Sequence, residues 1–254
     1  MKLDLGAEHT IYTLKDGTRV PGVTTVLGEL AKPHLMKWYA NEERAGVVQT
    51  AAALHALNQL GLENLTRALP TKPFAESKRD RAADIGTVTH ALCEGWLTQD
   101  PLERDGIDDM TWEMAQHGFD RFRRWWDHEG FTLRHSELVM VSELERCGGT
   151  ADIIARDRDG RLTLIDLKTS KASPYWPYRE TFGQVAAYAA IWTEQEQHAD
   201  SSSDIQRIVL NRIGKTPGDS GQVYEVSDAQ RTGGMDLFMA CLWARRATHS
   251  LNCA

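Results

Sequence analysis

The sequence predicts an α/β protein whose strands are gathered in the second half of the chain, with helices on either side. Three observations predict it. Apolar residues recur at helical spacing over residues 76–98 and 111–129. Three β-rich segments joined by short turns follow, at 131–143, 149–156 and 161–168. A helical pattern at 180–197 then precedes one further strand at 205–213. The core order is helix, three antiparallel strands, helix, strand, behind a helical N-terminal region.

Taken in order, residues 10–30 read as a short hairpin with Asp16-Gly17 as its turn, followed by Pro21-Gly22 and a Thr24/Thr25 helix cap. Residues 30–69 are rich in Ala and Leu and read as helix, broken near Pro33 and Gly61, with Pro70 and Pro73 marking a loop. These predict an N-terminal region over 1–75 and a core over 76–254. Trp112, Phe119, Phe122, Trp125 and Trp126 share helical spacing, which assigns them to core packing. Gly148-Gly149 and Asp157-Arg158-Asp159-Gly160 supply the turns between the three strands. A polar loop at 214–221 leads to a C-terminal helix from Asp228.

The net charge of −7 argues against a protein that coats nucleic acid through bulk charge, yet leaves open an acidic site offset locally by metal ions. Cys93, Cys147, Cys241 and Cys253 are scattered, without a C-x-x-C pair, which argues against a zinc ribbon, a disulfide framework and an iron–sulfur cluster. No apolar run is long enough to span a bilayer and the N-terminus lacks a secretory core, so a cytoplasmic location is expected.

The chemistry-bearing residues cluster around the three strands. In Leu164-Ile165-Asp166-Leu167-Lys168-Thr169, alternation puts Asp166 and Lys168 on one face with Leu162 and Leu164, and Thr163, Ile165 and Leu167 on the other. Ions on so apolar a strand call for a partner or a metal, although an ion pair at a strand end answers the first need alone. Asp152 lies in Gly148-Gly149-Thr150-Ala151-Asp152 at the start of the preceding strand, and a hairpin of this length brings it toward Asp166. Two carboxylates at close range repel unless one is protonated or a cation lies between them, and a hard divalent ion suits such an oxygen cage. On the helix before, Ile85, Val88, Leu92 and Trp96 form an apolar stripe while Gly86, His90 and Glu94 stack on the other side, which fits either a solvent-facing histidine or a site residue. Gln184 and Tyr188 share a helix face with Ile191 and Gln195; packing explains them as well as binding does. The segment Pro174-Tyr175-Trp176-Pro177-Tyr178-Arg179 joins aromatics to cations, a composition suited to stacking unpaired bases or to a stiff, packed loop.

In chain order, Gly86-Thr87-x-x-His90, Gly148-Gly149-Thr150-x-Asp152, Asp166-x-Lys168 and Gln184-x-x-x-Tyr188 resemble the RecB-type, phage exonuclease-like branch of the PD-(D/E)XK nuclease superfamily. The resemblance covers about half of the chain. It implies a restriction-endonuclease-like core and a metal-dependent deoxyribonuclease that uses Mg²⁺ or Mn²⁺, without the iron–sulfur cysteines of some relatives. It implies His90, Asp152, Asp166 and the Leu167 carbonyl as metal ligands, and Asp152, Asp166, Lys168 and a strand acid as the catalytic set. That acid is Glu137, with Glu143 as the alternative. Substrate contacts would come from Thr169, Lys171, Tyr175, Arg179, Gln184 and Tyr188. The expected activity is exonucleolytic hydrolysis of DNA from free or single-stranded ends in phage or bacterial recombination, repair or replication, with a recombination or single-strand-binding protein as a partner. A structure-specific or nicking endonuclease, or an inactive DNA-binding protein on this fold, are the alternatives.

Overall fold

The computed structural model describes residues 1, 3, 10–170, 176–195, 204–214, 216 and 218–252; the side chains of His34 and Asn252 lie outside that description. Internal contacts divide the chain into two units, one of Met1–Leu30 with Ile85–Ala254, the other of Ala31–Asp84.

The smaller unit holds α2 (Pro33–Ala56), α3 (Leu62–Ala68) and the start of α4 (Phe74–Leu97). Pro33 opens α2 rather than breaking a helix, because in the first turn its missing N–H leaves no bond unmade. Gly46 lets the Phe74 ring sit against α2, where any Cβ would lie 2.3 Å from the ring. The Glu43 carboxylate accepts from the Ala75 amide at 2.8 Å and so caps the start of α4.

In the larger unit, β1 (Tyr12–Thr13) and β2 (Arg19–Val20) form the expected hairpin, with Gly17 at φ +85° and Asp16 accepting from the Thr18 amide. The next helix, α1 (Val23–Leu27), is capped by Gly22 and not by a threonine. Thr24 and Thr25 lie inside it because Val23, Val26 and Leu27 must all be buried.

The main sheet has five strands in the order β3-β4-β5-β6-β7. They are β3 (Thr132–Ser142), β4 (Cys147–Arg156), β5 (Leu162–Ser170), β6 (Arg207–Gly214) and β7 (Gln222–Glu225). All neighbours are antiparallel except β5 and β6, which are parallel and joined through α6 (Arg179–Gln195). Leu162, Leu164 and Leu210 pack on one face against Val185 and Ala189 of α6 and Phe238 of α7 (Asp228–Asn252). Ile165, Leu167, Val209 and Ile213 pack on the other against Phe122 and Trp126 of α5 (Asp109–Glu129) and Cys93 of α4. The division of β5 is the alternation its sequence predicts.

Two further elements differ from the sequence reading. Gly148-Gly149 is not a turn; both glycines lie within β4, and the turn falls at residues 143–146. They are needed because tyrosine rings press on them: a Cβ on Gly148 would meet Tyr12 at 2.4 Å, and one on Gly149 would meet Tyr188 at 2.3 Å. The other is β7, four residues of alternating half-exposure that continue from the polar loop, too short to stand out as a period.

Candidate active site

The carboxylates collect where β4 and β5 part. The ladder between them ends at Ile153 and Ile165, and the next rung, which would pair Asp152 with Asp166, is open. Beyond it, Asp152 Oδ2 accepts a hydrogen bond from the Leu167 amide at 2.7 Å. A strand residue directs its N–H and C=O to the same edge, so the Leu167 carbonyl also faces β4.

On β3, Ser136 pairs with Ile153 and Leu138 with Ala151, which sets Glu137 against Asp152. The period of two fails at this rung on both strands. Ala151 and Ile153 pack on opposite sides of the sheet. His135 lies against the Trp192 ring of α6, and Leu138, three residues on, packs on that same side. The backbone cause is Glu137, at φ +48° in the left-handed region. An extra residue on β3 between Leu133 and His135 shifts the register nearby.

The result is a convergence of His90, Glu137 and Asp152, whose ligand atoms lie within 4.8 Å of one another. His90 Nδ1 is 3.9 Å from Asp152 Oδ2. One turn earlier on α4, Gly86 permits the helix to press on the end of β5, where a Cβ would come 2.8 Å from Thr169 Oγ1. Burial, with Asp152, Glu94 and Asp166 adding repulsion, pushes the Glu137 carboxyl up to about 8. Glu143, the alternative strand acid, lies past the end of β3 and accepts from the Lys15 amide instead.

Asp166 is 1% exposed and stands outside that trio. Its Oδ1 accepts from Lys168 Nζ at 3.0 Å; Oδ2 lies 2.9 Å from the same ammonium but receives no well-directed hydrogen bond. Burial raises the Asp166 carboxyl and Lys168 draws it back, leaving it at about 6. Lys168 Nζ also donates to Gln184 Oε1 at 3.2 Å, and Gln184 Nε2 to the Tyr188 hydroxyl at 3.2 Å. Tyr188, whose phenol burial holds protonated, rests on Gly149. Three of the four sequence motifs thus touch in series, from the Tyr188 ring on Gly149 to the Lys168 ammonium.

Among the expected substrate contacts, Thr169 lies half-buried on β5 beside Gly86. Arg179 is exposed at the first turn of α6 and lies near Cys241 of α7, whose thiol burial pushes up against the opposing pull of Arg179. Lys171 and Tyr175 lie outside the described residues. Trp176 and Tyr178 are exposed by 74% and 56%, and Trp176 stands 6.0 Å from Tyr224 of β7. Two supporting residues carry no motif in the sequence. Tyr12 bonds Thr150 Oγ1 at 3.1 Å besides covering Gly148. Glu194 of α6 holds the turn after β3 through the Glu143 and Leu144 amides and Ser142 Oγ. Both contacts join residues far apart in the chain.

A sequence model described as the PD-(D/E)XK nuclease superfamily matches residues 55–232. The chain belongs to that superfamily. No curated protein sequence matches it. Among solved structures it is similar to a provisionally assigned exonuclease from Eubacterium rectale, at 14% identity over 72% of each chain and a TM-score of 0.43. It is also similar to an alkaline exonuclease from Laribacter hongkongensis, at 16% identity over 68% of this chain and 90% of that one, with a TM-score of 0.28. At these scores neither likeness bears on what this chain does.

Nucleases of this superfamily use divalent metal ions, and the donor set fits one. Two carboxylates and an imidazole converge, and the Glu137 carboxyl is raised first by burial and then by neighbouring negative charge. A hard divalent cation offsets that negative charge and favours oxygen ligands. No described helix is long and apolar enough to cross a membrane.

Proposed function

We propose that this nuclease is a divalent-metal-dependent DNA exonuclease that hydrolyses phosphodiester bonds from free or single-stranded ends. The observation that carries this reading is the convergence of His90, Glu137 and Asp152 beside the Asp166–Lys168 pair, at the rung where β4 and β5 part. His90, Glu137 and Asp152 would hold the metal, with Asp166 and the Leu167 carbonyl at its edge. Bound there, such an ion activates water and offsets charge on the scissile phosphate.

The chain's own residues do the rest. Lys168 presents an ammonium, oriented by Asp166 and Gln184, to a non-bridging phosphate oxygen and to the attacking water. Tyr188 fixes Gln184, and Gly149 fixes Tyr188, so the ammonium is aimed before substrate arrives. Asp152 holds the Leu167 amide and keeps β5 in place beside the cluster. The exposed rings of Trp176 and Tyr178 offer faces on which unpaired bases stack, which supports the preference for single strands and ends. We extend the reading to recombination, repair or replication of phage or bacterial DNA.

Digestion of end-labelled linear and closed circular DNA with Mg²⁺, Mn²⁺ or EDTA tests it. Loss of label from linear DNA alone, dependent on the metal, is expected. Equal cutting of the closed circle replaces the exonuclease with an endonuclease, and cutting in EDTA removes the metal from the scheme.

A further inference from the structure

A second cluster of polar groups lies on the α5 side of the sheet, at the end where β5 and β6 finish. A cavity of about 200 Å³ opens there, lined by Arg121, Trp125, Asn211, Arg212, Gln222 and Val223 among others. Several donors in this lining have no acceptor among the described residues: Arg121 Nε and Nη1, Asn211 Nδ2 and Arg212 Nε. Asn211 and Arg212 are 4% and 1% exposed. Buried donors are costly to leave unpaired, and unpaired guanidinium groups more so.

The charges do not cancel. Asp219 is the carboxylate at this place, and Arg212 uses both of its oxygens, with Nη1 to Oδ2 and Nη2 to Oδ1, each at 2.7 Å. The Gly221 amide takes Oδ1 as well, at 3.0 Å. Arg121 feels Asp219 through space and has no hydrogen-bonded counter-charge among the described residues. Because Nε and Nη1 bond nothing, the guanidinium can turn that edge into the cavity without giving up an interaction. Asn211 offers its amide on the same terms. Two cations, one committed carboxylate and a neutral amide donor make a receptor for a compact anion with several acceptor oxygens.

The donors say which anion fits, because guanidinium and amide N–H groups match the several oxygens of a phosphoryl group. Asn211 and Arg212 pair with Leu167 and Lys168, but Lys168 turns to the α6 side, so the sheet separates the cavity from the proposed catalytic ammonium. We propose that this cavity is a phosphate-binding site distinct from the carboxylate cluster, with Arg121 as its main ligand, and that it takes the phosphoryl group of a nucleotide. The nucleotide is either a free monophosphate or a unit of the DNA strand. The inference rests on the family's nucleic-acid substrate but not on exonuclease activity.

Calorimetric titration of the whole protein with inorganic phosphate, in EDTA and at fixed ionic strength, tests the site while cleavage is silent. Wild-type protein should bind phosphate. Arg121→Met should bind at least tenfold more weakly, and should unfold thermally no lower than wild type in phosphate-free buffer, because a half-buried guanidinium with unpaired nitrogens is gone. Val223→Trp, which narrows the cavity from its exposed rim and leaves the charges in place, should weaken binding as well. Thymidine 5′-monophosphate and a trinucleotide without terminal phosphates then compete with the bound ion. Displacement by the first supports a free monophosphate, and displacement by the second supports a strand unit. Absence of phosphate binding, undiminished binding in both variants, or failure of both competitors overturns the proposal. These results stand apart from cleavage assays, so either reading can fail alone.

Discussion

The Asp152 carboxylate stands where a strand partner would, accepting from the Leu167 amide at 2.7 Å just beyond the last rung between β4 and β5. A side chain thereby replaces a backbone carbonyl at the mouth of the hairpin. The substitution keeps β5 anchored while the two strands separate, and the gap so made is where His90 and Glu137 reach Asp152. Structural and chemical roles meet in one carboxylate, which makes Asp152 a poor residue for separating stability from activity.

Lys168 is better suited. Lys168→Ala removes the ammonium bonded to Asp166 and no side chain of the apolar core. Cleavage of end-labelled DNA should fall by about 10²–10³-fold, the usual loss for one stabilising donor, with an unchanged circular dichroism spectrum. Wild-type rates would remove Lys168 from the catalytic set.

Glu137→Gly should separate stability from function. Glycine accepts φ +48° without the steric penalty a glutamate bears there, and the change also removes a buried, repelled carboxyl. Urea unfolding in EDTA should show the variant more stable by about 1 kcal/mol, after allowing for the entropy of a strand glycine. Mn²⁺ binding by calorimetry should weaken at least tenfold. A less stable, fully metal-binding variant contradicts both halves.

Gly149→Ala drives a methyl into the Tyr188 ring. Overpacking of this kind costs about 1–3 kcal/mol. Because Tyr188 steadies Gln184, and Gln184 steadies Lys168, kcat should fall as well, measured at a temperature where the variant is fully folded. Loss of stability with kcat intact would show that the series from ring to ammonium carries no catalytic weight.

Asp219 sets an acid limit. Its bond to Arg212 holds the carboxyl at about 2, below the ordinary 3.8. A depressed folded value stabilises the protein above the unfolded value, and that contribution fades as pH falls from about 4 toward 2. In urea unfolding between these limits, the advantage of wild type over Asp219→Asn should shrink steadily. A constant difference would show that the ion pair does not depress this carboxyl.

The sequence made the strands and the two faces of β5 legible, because Leu162, Leu164, Ile165 and Leu167 obey a strict period of two. It also brought Asp152, Asp166, Lys168, Gln184 and Tyr188 into view through spacing. Three things were hidden. The role of Gly148-Gly149 depends on rings from Tyr12 and Tyr188, both distant in the chain, so local turn chemistry misled. Glu137 was named through the family resemblance, but the left-handed backbone that turns it toward Asp152 is not foretold by ordinary alternation. The unpartnered donors around Arg121 arise only when α5 meets β6, and no short pattern encodes them.

The left-handed residue on β3 has one more consequence. β3 borders the main sheet, and at eleven residues it is long enough to template a foreign strand. Glu137 breaks the straight row of amides and carbonyls near its middle, and the register shift beside it bends the row again. An intruding chain would find neither a flat border nor a continuous set of partners. The kink that aims a carboxylate inward therefore also guards the protein against edge-to-edge aggregation.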